Sequence, residues 1–68
     1  MNAKIERSLC IGITKTRFDL YDKVKLKLKN GEIVEGEIIG LGDTIVYIQQ
    51  EDGDICWIFA NDIDGYIA

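Results

Sequence analysis

The sequence predicts an all-β fold, a five-stranded small barrel formed by a single domain that spans residues 1–68. Apolar and charged residues alternate along residues 17–29, β-branched residues crowd residues 44–50, and Asn-Gly and Asp-Gly pairs separate the apolar runs. A chain of 68 residues has room for one core. Histidine is absent, which removes the commonest general base and metal ligand, so no catalytic residue, metal or cofactor is predicted.

The beginning of the chain carries two competing patterns. Ile5, Leu9 and Ile13 recur at four-residue spacing, so residues 3–10 are expected to form a short helix. Leu9, Ile11 and Ile13 also alternate, as in a strand.

The alternating pattern of residues 17–29 predicts a half-buried strand, the first of the expected barrel, and Asp22 interrupts the alternation where that strand is expected to begin. Asn30-Gly31 then predicts a hairpin. A two-residue loop would bury carboxylates, so we expect a three-residue loop with Gly31 in the left-handed conformation. This register pairs Leu26 with Val34, Lys25 with Glu35 and Lys23 with Glu37.

The second strand is expected over residues 33–41, with Gly36 marking a bulge, a bend or a close backbone approach. The third covers residues 44–50 and the fourth residues 55–60. A turn at Asp52-Gly53 would set Ile48 opposite Trp57 and Val46 opposite Phe59, with Tyr47 and Ile58 on the other face. Residues 61–64 predict one helical turn with Asn61 as N-cap, before a last strand at Tyr66-Ile67.

Both faces of the hairpin formed by the third and fourth strands are apolar, whereas a short barrel buries only one face of a strand. The other face therefore needs a cover, either the N-terminal segment or a neighbouring subunit. We predict self-association through edge strands. The expected interface residues are Tyr47, Ile55, Trp57, Ile58, Phe59, Tyr66 and Ile67.

Charge is divided unevenly along the chain, whose net charge is -4. Residues 1–30 hold all eight cations and three carboxylates, a net +5, and residues 31–68 hold nine carboxylates and no cation. The halves should attract each other, across strand pairs or between subunits. Four lysines are candidate nucleic-acid contacts: Lys23, Lys25, Lys27 and Lys29. A solvated face paired with glutamates is favoured over that role.

Cys10 and Cys56 stand alone in apolar surroundings and are expected to be free thiols that act as small hydrophobic side chains. No run of residues has the length of a membrane span, and the N-terminus lacks the apolar core of a secretion signal. We therefore expect a cytoplasmic protein without a membrane partner.

The stretch from Leu28 to Gly31, followed by Gly36-Glu37-Ile38 and Leu41-Gly42-Asp43, resembles the first motif of Sm-like proteins, and residues 20–67 resemble the Sm-like and SH3-like small barrels. The resemblance implies that strands four and five of adjacent subunits pair, closing a ring that binds RNA at its pore. The residues that bind RNA in that family are absent from this chain. Gly42 and Val46 occupy the positions of the family's Asp and Asn, and no basic residue follows Lys29.

The expected function is therefore a non-catalytic interaction module whose partners are further copies of itself and an unidentified protein. Two alternatives remain open. One is an RNA-binding Sm-like protein with an altered base pocket. The other is an acidic decoy that occupies a basic nucleic-acid site on a partner protein.

Overall fold

The computed structural model describes residues 3–12 and 16–67, and they contain strands, turns and no α-helix. The strands are β1 (Ala3–Ile5), β2 (Leu9–Ile11), β3 (Thr16–Phe18), β4 (Lys23–Leu28), β5 (Ile33–Leu41), β6 (Ile45–Gln50), β7 (Ile55–Phe59) and β8 (Ile63–Tyr66). A 3₁₀ turn, Ala60–Asp62, joins β7 to β8. The fold is all-β, as predicted.

The helix expected over residues 3–10 is wrong, because this segment forms β1 and β2. Ala3 lies opposite Ile11, and Ile5 lies opposite Leu9. Between the strands the chain reverses at Arg7, whose φ of 64° is left-handed and cannot continue an α-helix. The alternation of Leu9 and Ile11 was therefore the correct signal. Ile13, which both patterns shared, lies outside the described residues.

A three-stranded antiparallel sheet is built from β1, β2 and β3, with β2 in the centre. Its last strand ends at Phe18, and the chain then passes through a turn to β4 in the second sheet. In this turn the N–H of Asp22 donates to the C=O of Asp19 at 3.2 Å, and the Asp22 carboxylate accepts from the Asp19 N–H at 2.8 Å. The first strand of the second sheet thus begins directly after Asp22, as predicted.

The second sheet has five antiparallel strands in the order β7-β6-β5-β4-β8. The predicted register of its first hairpin is confirmed, since Leu26 lies opposite Val34, Lys25 opposite Glu35 and Lys23 opposite Glu37. The loop closes with the N–H of Gly31 donating to the C=O of Leu28 at 3.0 Å, and Gly31 has φ +91°. This positive φ is the conformation that glycine adopts without a steric penalty.

The predicted register of the second hairpin is wrong by one residue. Trp57 lies opposite Tyr47 and Ile58 lies opposite Val46. The loop has three residues, 51–53, and Gly53 has φ +91°. A shift of one residue moves every side chain to the other face of a strand. As a result Ile58 points into the core, while Tyr47 and Trp57 share the outer face.

Gly36 marks a close approach between β5 and β6, as the sequence predicted. A Cβ at this position would overlap the Gln49 carbonyl oxygen and lie 2.8 Å from Ile48 Cγ2. The register between the two strands also shifts between Ile38 and Gly40, so a bulge follows two residues later. Both features bend β5, the longest strand of the sheet.

The sheet is not closed into a barrel. Its two edge strands, β7 and β8, follow each other in the chain but are not hydrogen-bonded neighbours. The 3₁₀ turn between them begins at Ala60, one residue before the predicted turn, and its N-cap is Phe59, which makes no side-chain capping bond. Asn61 is therefore not the cap, and β8 begins at Ile63 rather than at Tyr66.

One buried cluster connects the two sheets. The three-stranded sheet contributes Ala3, Leu9 and Ile11 to this cluster. The rest of it comes from the five-stranded sheet and the 3₁₀ turn: Val24, Leu26, Val34, Ile38, Val46, Ile48, Ile58, Ala60 and Ile63. Because the three-stranded sheet covers the inner face, the outer face of β6 and β7 is left to solvent.

Candidate interaction surface

Four of the predicted interface residues lie exposed on one surface. Tyr47, Ile55, Trp57 and Phe59 have exposed fractions of 40%, 60%, 58% and 44%. We call this set the outer aromatic face. Tyr47 comes from β6 and the other three from alternate positions of β7, so all four point away from the core.

Ile58, which the sequence placed in the interface, is only 6% exposed and belongs to the core. It lies opposite Val46 on the inner face of the sheet. The error follows from the register of the second hairpin. Ile58 is therefore not part of the outer aromatic face.

The rings of Trp57 and Phe59 support each other. Their centroids are 5.2 Å apart with an interplanar angle of 87°, an edge-to-face contact. Such a contact between residues two apart on one strand restricts both side chains. The outer aromatic face therefore contains two rings in direct contact with each other.

The backbone of β7 is also unpaired on its outer side. The N–H of Gln50 donates to the C=O of Asp54, and the N–H of Ala60 donates to the C=O of Thr44, both at 2.8 Å. Even-numbered residues of this segment therefore direct their backbone groups towards β6. Since successive residues of a strand alternate in direction, the N–H groups of Ile55, Trp57 and Phe59 point to the opposite side, where no described strand lies.

The other two predicted interface residues, Tyr66 and Ile67, lie at the opposite edge of the sheet. Tyr66 is 40% exposed, but its ring meets the Phe18 ring edge-on at 5.2 Å and its hydroxyl lies 3.1 Å from Thr16 Oγ1. The Ile67 N–H donates to the Lys25 C=O at 2.8 Å, and its side chain is exposed. These two residues therefore lie at the β8 edge of the sheet and are not part of the outer aromatic face.

A cleft of about 430 Å³ lies beside the outer aromatic face, between β7 and the first hairpin. Its walls include Leu28, Lys29 and Asn30 on one side and Trp57 and Phe59 on the other. The Lys29 N–H donates to the C=O of Asp62 at 2.9 Å and so ties the hairpin to the 3₁₀ turn. Because Trp57 and Phe59 belong to β7, the free edge of this strand forms one side of the cleft.

The four candidate nucleic-acid lysines, Lys23, Lys25, Lys27 and Lys29, are exposed. Glu37 and Glu35 lie directly opposite the first two, as the register predicted. None of the four lysines forms an ion pair within residues 3–12 and 16–67. The predicted placement of the two glutamates is therefore confirmed, and salt pairing across this exposed face stays a prediction.

Lys4, in contrast, does form an ion pair. Its Nζ lies 2.6 Å from Oε1 of Glu6. The hydrogen bond that the Lys4 ammonium donates to the Glu6 carboxylate, together with the negative charge of Glu6, raises the pKa of the exposed Lys4 amine. The pair joins residues of β1 and the following bend, away from the lysines of β4.

Sequence reasoning missed an exposed apolar turn. Leu20 and Tyr21 are 44% and 71% exposed, and Tyr21 has φ 72°. The N–H of Tyr21 donates to the C=O of Ile38 at 2.7 Å, which fixes the turn against β5. Asp19 and Asp22 flank these two residues, and aspartate is typical of turns. This pair is the sequence feature that could have predicted the turn.

Neither a cluster of metal-binding side chains nor a membrane-spanning helix is found in the described part of the chain. It holds no group of three or more His, Cys, Asp or Glu side chains placed to bind a metal ion. Nor does it contain a helix with the length and apolar character that crossing a bilayer requires. Cys10 and Cys56 are free thiols, and both are half-buried.

Comparison of the chain with protein-family models, with curated proteins and with solved structures finds no match. The geometry of β7 and of the surfaces around it is therefore the basis for a functional assignment.

Proposed function

We propose that this protein is a non-catalytic interaction module of the Sm-like and SH3-like small-barrel type, which self-associates through its edge strands. One observation carries the proposal. In β7 the residues with unpaired backbone groups, Ile55, Trp57 and Phe59, are also the residues that expose large apolar side chains.

Several features of the second sheet support the small-barrel type. β8 lies beside β4, and β7 lies at the far end of the sheet. A single 3₁₀ turn joins these two edges, and Gly36 and the following bulge bend the strand between them. This arrangement fits a barrel-like sheet whose seam is open at β7 and β8.

The composition of β7 supports pairing with another strand. Edge strands of monomeric proteins are commonly protected by lysine, proline or a bulge. β7 has none of these, since its residues are Ile, Cys, Trp, Ile and Phe and its register with β6 is regular. With about 200 Å² for each side chain and about half of it exposed, the outer aromatic face offers about 400 Å² of apolar surface, a size typical of interaction sites.

Light scattering after size-exclusion chromatography tests the proposal. The wild-type chain should show a mass above that of one chain at about 200 µM and should dissociate on dilution, as mass action requires. Trp57→Ala should weaken association about a hundredfold. Its 58% exposed side chain offers about 140 Å², and covering most of it contributes about 3 kcal/mol.

Two further variants separate face packing from strand pairing. Ile33→Ala removes a side chain of similar exposure, 52%, from β5 and should leave the mass unchanged. Ile55→Pro removes one outward N–H of β7 without removing a hydrogen bond to β6, and it should also weaken association. A wild-type chain that stays monomeric at the highest concentration defeats the proposed function, as does equal behaviour of Trp57→Ala and Ile33→Ala.

A further inference from the structure

The free edge of β7 offers backbone groups and apolar side chains at the same residues. The N–H groups of Ile55, Trp57 and Phe59 point away from β6, and the side chains of these residues are exposed on the outer face. An extended segment laid along this edge would gain main-chain hydrogen bonds and apolar contacts together, which is how free sheet edges bind peptides. The inner face is covered by β1–β3, so incoming apolar side chains would pack on the outer face.

The cleft beside Trp57 and Phe59 provides space for such a segment. Its volume of about 430 Å³ lies within the range typical of binding clefts. Leu28, Lys29 and Asn30 of the first hairpin form the wall that faces β7. Partner residues opposite Trp57 and Phe59 would therefore be enclosed on two sides, by β7 and by this hairpin.

The two ends of β7 differ in charge. Glu51, Asp52 and Asp54 precede the strand and are exposed, and we call these three residues the acidic turn. The Asp52 carboxylate accepts from the Asp54 N–H at 3.0 Å, which orders the turn. None of the three forms an ion pair in the part of the chain that the structure describes. At the other end Asp62 shares the cleft with Lys29, so negative charge is concentrated at the start of β7.

We propose that the free edge of β7 binds an extended segment of another protein, in which apolar and polar residues alternate and lysines or arginines follow the alternating part. The segment runs antiparallel to β7, so its basic end lies against the acidic turn. Its apolar side chains cover the outer aromatic face. The proposal rests on the proposed role of the chain as an interaction module and names the chemistry of a partner other than the chain itself.

The antiparallel direction has a geometric consequence for the partner. Every strand pair in the two described sheets is antiparallel, and antiparallel pairing is slightly stronger for each residue than parallel pairing. Ile55, Trp57 and Phe59 would each exchange two hydrogen bonds with the residue directly opposite, whose side chain lies on the same face. The partner residues that bond to β7 are therefore the apolar ones that cover the outer face.

Fluorescence titration of Trp57, the only tryptophan of the sequence, tests the proposal. The probe is a synthetic peptide that alternates threonine and valine over about six residues, the usual length of a strand, and ends in a run of lysines. At about 1 µM chain, where mass action disfavours self-association, binding should shift the emission of the exposed indole to shorter wavelength. With the lysines moved to its N-terminal end, the peptide should bind at least about fivefold more weakly, because the charge pairs with the acidic turn are lost.

Methylation of the peptide's backbone nitrogens identifies the paired edge and its direction. In the antiparallel arrangement the valine N–H groups face β7, so methylating the valine nitrogens should abolish binding and methylating the threonine nitrogens should preserve it. Parallel pairing would give the reverse result, because the residues opposite then direct their backbone groups away from β7. That reversal would overturn the inference, as would equal binding of the two methylated peptides.

A charge reversal on the protein tests the role of the acidic turn. Glu51→Lys with Asp54→Lys keeps the hydrogen bond to Asp52, whose donor is a backbone N–H. This variant should bind the lysine-ended peptide at least about fivefold more weakly than the wild type and should prefer a peptide that ends in glutamates. The matched control, Glu32→Lys with Asp43→Lys, makes the same change in net charge at exposed positions in the loops on either side of β5 and should bind as the wild type does.

The outcomes separate this inference from self-association, and circular dichroism checks that each variant is folded. Wild-type binding by the Glu51→Lys, Asp54→Lys variant would overturn the inference. A chain that assembles in light scattering but shows no emission shift with the lysine-ended peptide would also overturn it, and self-association would stand. A chain that stays monomeric at the highest concentration but binds this peptide in the expected direction retains the inference and loses self-association.

Discussion

Replacing Gly36 with alanine tests the close approach of β5 and β6 that bends the second sheet. The added Cβ would overlap the carbonyl oxygen of Gln49 and lie 2.8 Å from Ile48 Cγ2. The first of these atoms belongs to the backbone of a strand that is paired on both sides. It cannot rotate away as the tip of a flexible side chain could, so the two strands must move apart.

The expected loss of stability follows from that movement. Separating the strands at Gly36 weakens one or two ladder hydrogen bonds, each worth about 1 kcal/mol, and strains the packing around the core by about 1–3 kcal/mol. The sum is about 2–4 kcal/mol. A domain of this length has a total stability of about 3–10 kcal/mol. The substitution should therefore remove at least about a fifth of the free energy of unfolding, and most of it if the total lies at the lower end of that range.

Urea denaturation followed by circular dichroism, at a concentration where the chain is monomeric, measures this change. Gly65→Ala is the matched control. Gly65 lies in β8 of the same sheet, and a Cβ at this position would meet no atom within 4 Å. That variant should be unchanged or more stable by up to about 1 kcal/mol, since alanine loses less entropy on folding. If Gly36→Ala unfolds within about 0.5 kcal/mol of the wild type, the close approach is refuted.

Three further predictions concern the register and the first sheet. Ile58→Ala should lose about 2–4 kcal/mol of stability in urea denaturation and Phe59→Ala less than about 1 kcal/mol in the monomer, and equal losses would contradict the register. Arg7→Gly should keep or raise the melting temperature, because glycine adopts positive φ without strain; a clear drop would contradict the left-handed bend. Ser8→Ala removes the hydrogen bond from the buried Ser8 hydroxyl to the Asp19 carboxylate. It should lose about 1–2 kcal/mol, and an unchanged urea midpoint would show that this bond does not stabilise the fold.

The first hairpin could be predicted because two signals agreed. Its strands alternate strictly between apolar and charged residues, so only one register buries the apolar set. The second hairpin lacks that constraint, because all five residues of β7 are apolar or a cysteine and either register buries an apolar set. Alternation therefore carried no information about which residues face the core.

A second signal for that register lay in the loop. The Asn30 side chain accepts from the N–H of Glu32 at 2.9 Å, and the Asp52 side chain accepts from the N–H of Asp54 at 3.0 Å. In both loops the glycine between these residues has φ +91°. The same local geometry thus appears in an Asn-Gly and in an Asp-Gly loop. Applying the three-residue loop to both hairpins would have given the correct register.

The candidate surface was predicted in part. Tyr47, Ile55, Trp57 and Phe59 are exposed because the three-stranded sheet covers only the inner face of the second sheet. Residues 3–10, which form β1 and most of β2 in this sheet, were expected to be a helix, because the strand pattern in residues 3–11 is short and Arg7 gives no sign of a left-handed bend. Which face of the second sheet is covered depends on tertiary packing, which the local pattern does not encode.

The distribution of charge around β7 bears on how an unprotected edge can be specific. Lysine or proline within an edge strand blocks every partner, because it removes a hydrogen bond or places a charge in the new interface. In this chain the charges lie outside the strand instead, with Glu51, Asp52 and Asp54 before β7 and Asp62 after it. Carboxylates at these positions leave the pairing groups of the strand open and act only on what lies beside its ends. A second β7 would bring further carboxylates to these positions and would be disfavoured. The same carboxylates that give the chain its net negative charge would therefore select the partner without blocking the contact.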